Sequence, residues 1–168
     1  MGGCVAKGKV RLAGLDDWGQ LTAMRSELWP DGSAEEHRRE LRAILSGEAR
    51  GNAAMTIFVW ETREGKLAGF LEARLRSHAD GCDKSRPVGY LEGWFVRPEE
   101  RRQGIGGALV RAAEVWARRQ GCREMASDAE IDNQVSQRAH EALGYQAGSR
   151  VVTYRKPLEV AKSSLLKP

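Results

Sequence analysis

The feature that most constrains this chain is a glycine-rich turn between an apolar run and an amphipathic stretch. Residues 88–96 are typical of a buried strand, and R-R-Q-G-I-G-G follows at residues 101–107. Gly104, Gly106 and Gly107 permit backbone torsions and close approaches that a Cβ would block. Because such a turn directs several backbone N–H groups of a helix start towards one small volume, the pattern predicts a cradle for a phosphate or pyrophosphate.

Two common phosphate-binding loops do not fit this spacing. A Walker loop needs a lysine directly after its last glycine, and no lysine follows these glycines. A dinucleotide-binding fingerprint needs a third glycine three residues after the second, and residues 104–109, G-I-G-G-A-L, lack it. The type of cradle therefore has to be inferred from the rest of the chain.

Composition favours a single globular domain. Of the 168 residues, 41% are hydrophobic and 30% are charged, which is ordinary for a soluble protein. We expect one domain over residues 1–168, with a folded core at about 9–157 and a flexible tail at 158–168. No apolar run has the length of a membrane span, and the N-terminus lacks the apolar segment of a signal peptide.

Cysteine and histidine usage predicts neither disulfides nor a metal site. The three cysteines are odd in number and far apart, and the three histidines do not cluster: Cys4, Cys82, Cys122, His37, His78 and His140. We therefore expect a reduced, cytoplasmic protein without a bound metal.

Hydrophobic periodicity predicts the element order β-α-α-β-β-β-α-β-α-β, with the last strand within residues 145–156. Three consecutive strands followed by two strand–helix alternations favour an α/β (mixed α+β) fold. We expect a mixed, mostly antiparallel central sheet with helices on both faces. Ser33-Ala34-Glu35-Glu36 is a capping box for the second helix, and Asp132 or Asn133 is expected to cap the last one.

The arginine-flanked glycines resemble a known cofactor motif. R-R-Q-G-I-G matches the acyl-CoA-binding pattern [QR]-x-x-G-x-[GA] of the GCN5-related N-acetyltransferases, at the same place in the element order. A second landmark of that family, an Asn at a helix start and then L-G-aromatic, is matched by Asn133 and residues 143–145. The segments S-E-L-W-P-D, P-V-G-Y-L-E-G-W-F-V and M-A-S-D-A-E-I-D-N resemble the aminoglycoside 6′-N-acetyltransferases of Gram-negative bacteria. This likeness covers about residues 9–157.

The resemblance implies an enzyme of antibiotic resistance that acetylates the 6′-amine of aminoglycosides. It implies acetyl-CoA as co-substrate, direct transfer in a ternary complex, and a homodimer. By the same resemblance, acetyl-CoA would contact Trp94, Phe95, Val96, Arg102, Gln103, Gly104, Ile105, Gly106, Gly107 and Asn133. The antibiotic would contact Trp29, Glu92 and Asp128.

The residues themselves single out Glu92 as the base or base relay. A carboxylate inside an apolar strand is costly to bury without a partner, so Glu92 is either functional or a salt-bridged structural acid. Acetyl transfer requires a neutral amine, and deprotonating an amine of lysine-like pKa at pH 7 costs about 4.6 kcal/mol. A carboxylate can bind the ammonium and then accept its proton. Backbone N–H groups near Phe95 and Val96 would polarise the thioester carbonyl.

Three departures from the family pattern concern the acceptor and the leaving group. A tyrosine that serves as general acid in many acetyltransferases is replaced by His140. The histidine could donate a proton instead, or the thiolate could leave unaided. A substrate-binding tyrosine of the relatives falls near residues 78–80, which contain none. A late substrate-contacting acid falls near Ser149. The loss of the substrate-binding tyrosine and of the late acid bears on substrate range more than on the reaction.

Other readings stay open at this level. The acceptor could be another amine, such as a polyamine, a small metabolite or a protein N-terminus, since an acidic patch suits any polycation. The acids expected in that patch are Glu72, Glu92, Asp128, Glu130 and Asp132. The net charge of +4 also permits an acyl-CoA sensor or a nucleic-acid binder. We expect no nucleic-acid or membrane partner, because a phosphate-bearing cofactor accounts for the arginines.

Overall fold

The computed structural model describes residues 8–47 and 54–157. In these ranges it contains five strands and four α-helices, with single 3-10 turns at Leu15–Asp17 and Pro98–Glu100. The elements are β1 (Gly8–Leu12), α1 (Trp18–Leu28), α2 (Ala34–Leu45), β2 (Met55–Thr62), β3 (Leu67–Arg76), β4 (Val88–Val96), α3 (Ile105–Arg119), β5 (Met125–Ser127) and α4 (Gln134–Ala142). The tail expected at 158–168 lies outside the described residues. Among the described residues, no helix combines the length and the hydrophobicity that a membrane span needs.

The strands form one sheet in chain order, β1-β2-β3-β4-β5. All neighbouring strands are antiparallel except β4 and β5, which are parallel. The parallel pairing ends at Leu91 and Ser127, although β4 continues to Val96. The last five residues of β4 therefore have an edge that β5 does not cover.

Helices pack on both faces of the sheet, as expected for this fold class. Alternating strand residues point to opposite faces, so β2 sends Ile57 and Val59 to one core and Phe58 to the other. The core under α1 and α2 contains Leu21, Met24, Leu41, Ile57, Val59, Leu67, Phe70 and Phe95. The core under α3 contains Phe58, Ala68, Leu71, Ala73, Leu91, Ile105, Leu109, Val110 and Ala113. The mixed, mostly antiparallel sheet is confirmed.

The expected capping box at the start of α2 is confirmed. The Glu36 N–H donates to Ser33 Oγ at 3.2 Å, and the Ser33 N–H donates to the Glu36 carboxylate at 2.8 Å. Asn133 caps α4, since its Oδ1 accepts from the Ser136 N–H at 3.0 Å.

The prediction of a strand within residues 145–156 is wrong. Residues 145–157 contain neither strand nor helix, and Val151, Val152 and Tyr154 are 72%, 71% and 89% exposed. Apolar alternation predicted a strand there, but a strand also needs a neighbouring edge to pair with. β5, at the outer edge of the sheet, has only three residues.

Candidate active site

The glycine turn forms an uncapped helix start. Arg102 has a φ of +62° and Gly104 a φ of +83°, so the chain turns sharply before α3. Gly104 is the N-cap residue, and it has no side chain to accept from the first-turn N–H groups. The first intrahelical bond runs from the Ala108 N–H to the Gly104 carbonyl at 3.0 Å. The N–H groups before Ala108 are therefore free to bind an anion at the positive end of the helix dipole.

Trp94 lies directly against this helix start. A Cβ added to Gly106 would be 2.9 Å from the Trp94 ring, so a glycine is needed for the helix to lie this close to the indole. The indole Nε1 is buried and has no hydrogen-bond partner among the described residues. An unpaired buried donor next to free N–H groups fits a ligand rich in oxygen acceptors, as the phosphates and amides of acetyl-CoA are.

The open edge of β4 is formed by Trp94 and Val96. In an antiparallel pair, alternate residues bond to the neighbouring strand. The Arg97 N–H donates at 2.9 Å to the carbonyl of Ala68 in β3, so Phe95, two residues before Arg97, also directs its backbone to β3. The side chain of Phe95 is buried under α1 and α2. The N–H of Phe95 is therefore directed to β3, and the backbone of Val96 faces the open edge; the contact of Phe95 with acetyl-CoA stays a prediction.

The other residues expected to bind the cofactor differ in which of their atoms are available to a ligand. Gln103 donates from Nε2 to the Glu100 carboxylate at 3.2 Å, and Arg102 is exposed. Ile105 is 1% exposed and packs in the core, so only its backbone can contact a ligand. Gly107 lies beside Arg111 and Leu143, and Asn133 uses its side-chain oxygen for capping. Their contacts with acetyl-CoA stay predictions.

Glu92 is an ion-paired bulge residue. Glu72 pairs with Gly93, and Ala73 pairs with Leu91, so Glu92 has no partner in β3. Its carboxylate accepts from Arg76 Nε at 3.1 Å and from Arg76 Nη2 at 3.0 and 2.8 Å. Arg74 Nε lies 3.6 Å away. The salt-bridged alternative therefore describes Glu92 in this structure, and a role as base requires a substrate ammonium to compete with Arg76.

Tyr90 and Arg76 join Glu92 to Asp128. The Arg76 guanidinium lies 3.4 Å from the centre of the Tyr90 ring. Burial, with the nearby Asp128 carboxylate, raises the pKa of Tyr90 to about 12. We call Arg76, Tyr90, Glu92 and Asp128 the acid pocket. Its two acids were expected from the sequence, and Arg76 and Tyr90 were missed.

Trp29 lies beside the acid pocket, at the end of α1. Its ring lies against Gly93, the residue after Glu92, where no Cβ could be accommodated. The Arg25 guanidinium lies 5.0 Å from the ring centre, and Phe70 contacts the ring edge-on at 6.3 Å. Trp29 is therefore a half-buried helix-end aromatic whose contact with a substrate stays a prediction.

Glu72 is not part of a surface acid patch. It is 1% exposed and lies under α1, where burial raises its pKa to about 7 despite the charge of Arg25. Arg25 Nε is 3.3 Å from Glu72 Oε1, which is an ion-pair distance, but neither atom makes a well-directed hydrogen bond. The pair is buried and only partly satisfied.

Glu72 should make the stability of the protein depend on pH. Its pKa of about 7 in the fold exceeds the ordinary 4.5 of the unfolded chain, so the fold binds the proton more tightly. The contribution of Glu72 to the free energy of unfolding is therefore greatest below pH 4.5 and is lost as the pH rises through 7. We compare the free energy of unfolding of Glu72→Gln with that of the wild type at each pH. The difference, variant minus wild type, should be about 1 to 3 kcal/mol larger at pH 8 than at pH 5. Urea unfolding at both pH values checks this, and an equal difference at the two would contradict it.

His140 lies between β5 and the cofactor-side aromatic residues. Its Nδ1 is 2.8 Å from the Ser136 carbonyl, and its Nε2 is 3.0 Å from Ser127 Oγ. Trp94 and Tyr145 contact the ring edge-on at 5.3 and 5.4 Å. The imidazole is held in one orientation, and its role as general acid stays a prediction. In the described part of the chain, no group of three or more His, Cys, Asp or Glu residues could hold a metal ion.

Comparison with known proteins adds the biochemical context. A profile described as the acetyltransferase (GNAT) family matches residues 20–145. An aminoglycoside N(6′)-acetyltransferase type 1 of Klebsiella aerogenes is 45% identical over 149 residues, which cover 89% of this chain and 96% of the relative. One of Serratia marcescens is 43% identical over 145 residues, covering 86% and 93%.

Solved structures agree with these sequence matches. AAC(6′)-Iy in complex with the bisubstrate analog CoA-S-monomethyl-acetylneamine superposes with a TM-score of 0.81 at 33% identity, covering 91% of this chain and 100% of that one. AAC(6′)-Ih from Acinetobacter baumannii superposes with a TM-score of 0.80 at 33% identity, covering 90% and 99%.

Proposed function

The chain belongs to the GNAT family of acetyltransferases, and we propose that it transfers the acetyl group of acetyl-CoA to the 6′-amine of aminoglycosides by direct transfer in a ternary complex. The observation that carries this function is the open edge of β4. The uncapped start of α3 and Trp94 lie on one face of the sheet there, and the acid pocket lies on the other. An anionic cofactor and a cationic acceptor would therefore meet at one place, the gap that opens between β4 and β5 where their pairing ends.

On the cofactor side, the residues of the chain bind acetyl-CoA and orient it. Acetyl-CoA supplies the activated acetyl thioester. The free N–H groups at the start of α3 suit its pyrophosphate, and Arg102 is exposed beside them. The backbone of Val96 faces the open edge, where its N–H can donate to the thioester oxygen as negative charge develops.

On the acceptor side, the acid pocket binds the ammonium. Glu92 and Asp128 supply two carboxylates around Arg76, which a substrate ammonium would displace from Glu92. Glu92 is then the first proton acceptor, directly or through a water, as neutralising the amine requires. Trp29, whose ring lies against Gly93 beside the acid pocket, could contact a sugar ring of the bound acceptor.

A panel of acceptors tests this function. CoA thiol release is followed with purified protein and acetyl-CoA, in parallel with kanamycin, spermidine and a peptide with a free N-terminus. We expect the highest kcat/KM with kanamycin, because its several ammonium groups suit both acids of the pocket. Turnover of spermidine or of the peptide alone would exclude the aminoglycoside function and leave an acetyltransferase of another amine.

We further propose a homodimer that works in the cytoplasm, where acetyl-CoA is supplied. The exposed apolar segment containing Val151, Val152 and Tyr154 has no partner strand among the described residues, and a second copy would cover it. Sedimentation equilibrium should give twice the mass of the chain. A monomer at micromolar concentration would contradict the dimer without affecting the chemistry.

A further inference from the structure

We propose that Ser127 is a catalytic residue that, with His140 behind it, carries the second proton of the reaction from the acceptor nitrogen to the departing sulfur. This inference rests on the proposed acetyl transfer and assigns a role to a hydroxyl that the sequence did not single out. It is carried by the polar contacts of the His140 ring with Ser136 and Ser127 and by the position of Ser127 in the sheet.

The hydrogen bonds of His140 fix its tautomer. The Nδ1 of His140 lies 2.8 Å from the Ser136 carbonyl, which can only accept, and 3.3 Å from the Ser136 hydroxyl, which can accept or donate, so a proton on Nδ1 is the assignment that satisfies the shorter contact. In the neutral imidazole, Nε2 then has a lone pair, and it lies 3.0 Å from Ser127 Oγ. The Ser127 hydroxyl has three acceptors within reach of its one proton, the carbonyls of Leu91 and Asp128 at 3.3 and 3.4 Å and Nε2 at 3.0 Å. Nε2 is the nearest of the three, so in the proposal the hydroxyl donates to Nε2, and His140 is arranged to receive a proton through Ser127.

Ser127 lies where the gap between the strands begins. It is the last residue of β5 and pairs with Leu91, beyond which β4 runs on alone. Its Oγ is 3.3 Å from the Leu91 carbonyl, so the hydroxyl lies between the two strands rather than out in solvent. Glu92 and Asp128 directly follow the two paired residues. A hydroxyl at this point adjoins both the acid pocket and the Trp94 side of the sheet.

The reaction includes a proton transfer that Ser127 and His140 together could carry out. An alkylammonium loses two protons during acetylation, one before attack and one after it. Glu92, at the acid pocket, takes the first and passes it to solvent. After the nitrogen has bonded to the carbonyl carbon, it loses the second proton to Ser127 Oγ, while the Ser127 proton moves to His140 Nε2. As the C–S bond breaks, the same protons return in the opposite sense, from Nε2 to Oγ and from Oγ to sulfur, which leaves as the thiol.

The His140 ring is held for this exchange. Its Nδ1–H bond to the Ser136 carbonyl stabilises the imidazolium that forms, and edge contacts with Trp94 and Tyr145 keep the ring from rotating. Once the ammonium has lost its first proton, Arg76 can again pair with the Glu92 carboxylate, which leaves the second proton to Ser127. A merely structural contact would instead anchor α4 to β5 without affecting the chemical step.

Variants separate the two roles. Ser127→Ala should lower kcat on the order of 10²-fold, with the KM for acetyl-CoA and the thermal midpoint unchanged. Ser127→Thr, which keeps the hydroxyl, should restore most of the loss. Because the two groups act as one unit, Ser127→Ala and His140→Gln together should cost little more than either alone. An unchanged kcat in Ser127→Ala, or losses that multiply in the double variant, would overturn the proposal.

Nitrogen NMR of the wild-type imidazole gives a readout independent of turnover. The neutral ring of His140, assigned by comparison with His140→Gln, should show the Nδ1–H tautomer, and Ser127→Ala should shift the Nε2 resonance. An Nε2–H tautomer would overturn the proposal even if no variant folded. A wild type that acetylates none of the panel amines would count against the proposed function alone, because the tautomer does not depend on substrate.

Discussion

Glu92→Gln is expected to lower the kcat for kanamycin acetylation on the order of 10²- to 10³-fold while leaving the Kd for acetyl-CoA unchanged. Glutamine keeps the size of the side chain but can neither hold the substrate ammonium as an ion pair nor accept its proton. The cofactor side is spared, because Trp94 and the start of α3 lie on the opposite face of the sheet from the acid pocket. Steady-state kinetics and calorimetric titration with acetyl-CoA measure the two effects separately.

Glu61→Gln is the matched control for this variant. Glu61 is also a strand residue, its side chain is 22% exposed against 21% for Glu92, and it is also paired with an arginine, Arg11, at 3.0 Å. Its removal should leave kcat unchanged. If Glu92→Gln and Glu61→Gln have the same kcat, Glu92 is a structural ion-pair partner and another group neutralises the amine.

Gly106→Leu is expected to weaken acetyl-CoA binding by about 10- to 100-fold. A Cβ at this position lies 2.9 Å from the Trp94 ring, so the indole must move or the first turn of α3 must shift. Either movement displaces the free N–H groups that are expected to bind the pyrophosphate. Because the acid pocket is on the other face, the variant should reach a near-normal kcat at saturating acetyl-CoA.

Gly19→Leu provides the comparison for Gly106→Leu. Gly19 is also in a helix, but a Cβ there meets nothing within 4 Å. This variant should bind acetyl-CoA as the wild type does. Equal Kd values for all three proteins would show that the start of α3 is not the cofactor cradle.

The sequence predicted the cradle because its chemistry is local. An apolar strand, a glycine-rich turn with Gly104 at positive φ and a helix start follow each other directly, so their positions in space follow from their positions in the chain. Hydrophobic alternation likewise predicted strands at both sides of the turn and helices on both faces. The expected residues Gly104 and Gly106 therefore lie at the predicted turn.

The partners of Glu92 could not be predicted, because they depend on a bulge. Strict alternation along β4 would place Glu92 on the face of Trp94. The register shift between Glu72 and Ala73 instead turns it towards Arg76, on the other face. The sequence shows the alternating charges Glu72, Arg74 and Arg76, but it does not show which acid the two arginines pair with.

Two other departures have a common cause in tertiary context. Glu72 was expected in an acidic surface patch but is covered by α1, whose packing the sequence of β3 does not reveal. The bond between Ser127 and His140 joins a strand end to the last turn of a helix 13 residues away, and no spacing rule predicts it. Such contacts follow only from the assembled fold.

The central claim is that this chain acetylates aminoglycosides at one position, the 6′-amine. The most direct measurement is two-dimensional NMR of the product that the purified protein forms from kanamycin and acetyl-CoA. We expect one acetyl group, in amide linkage to the 6′ nitrogen, with one CoA thiol released per acetyl group. An acetyl group on any other nitrogen or on a hydroxyl, or unchanged kanamycin under conditions where spermidine is consumed, would contradict the account.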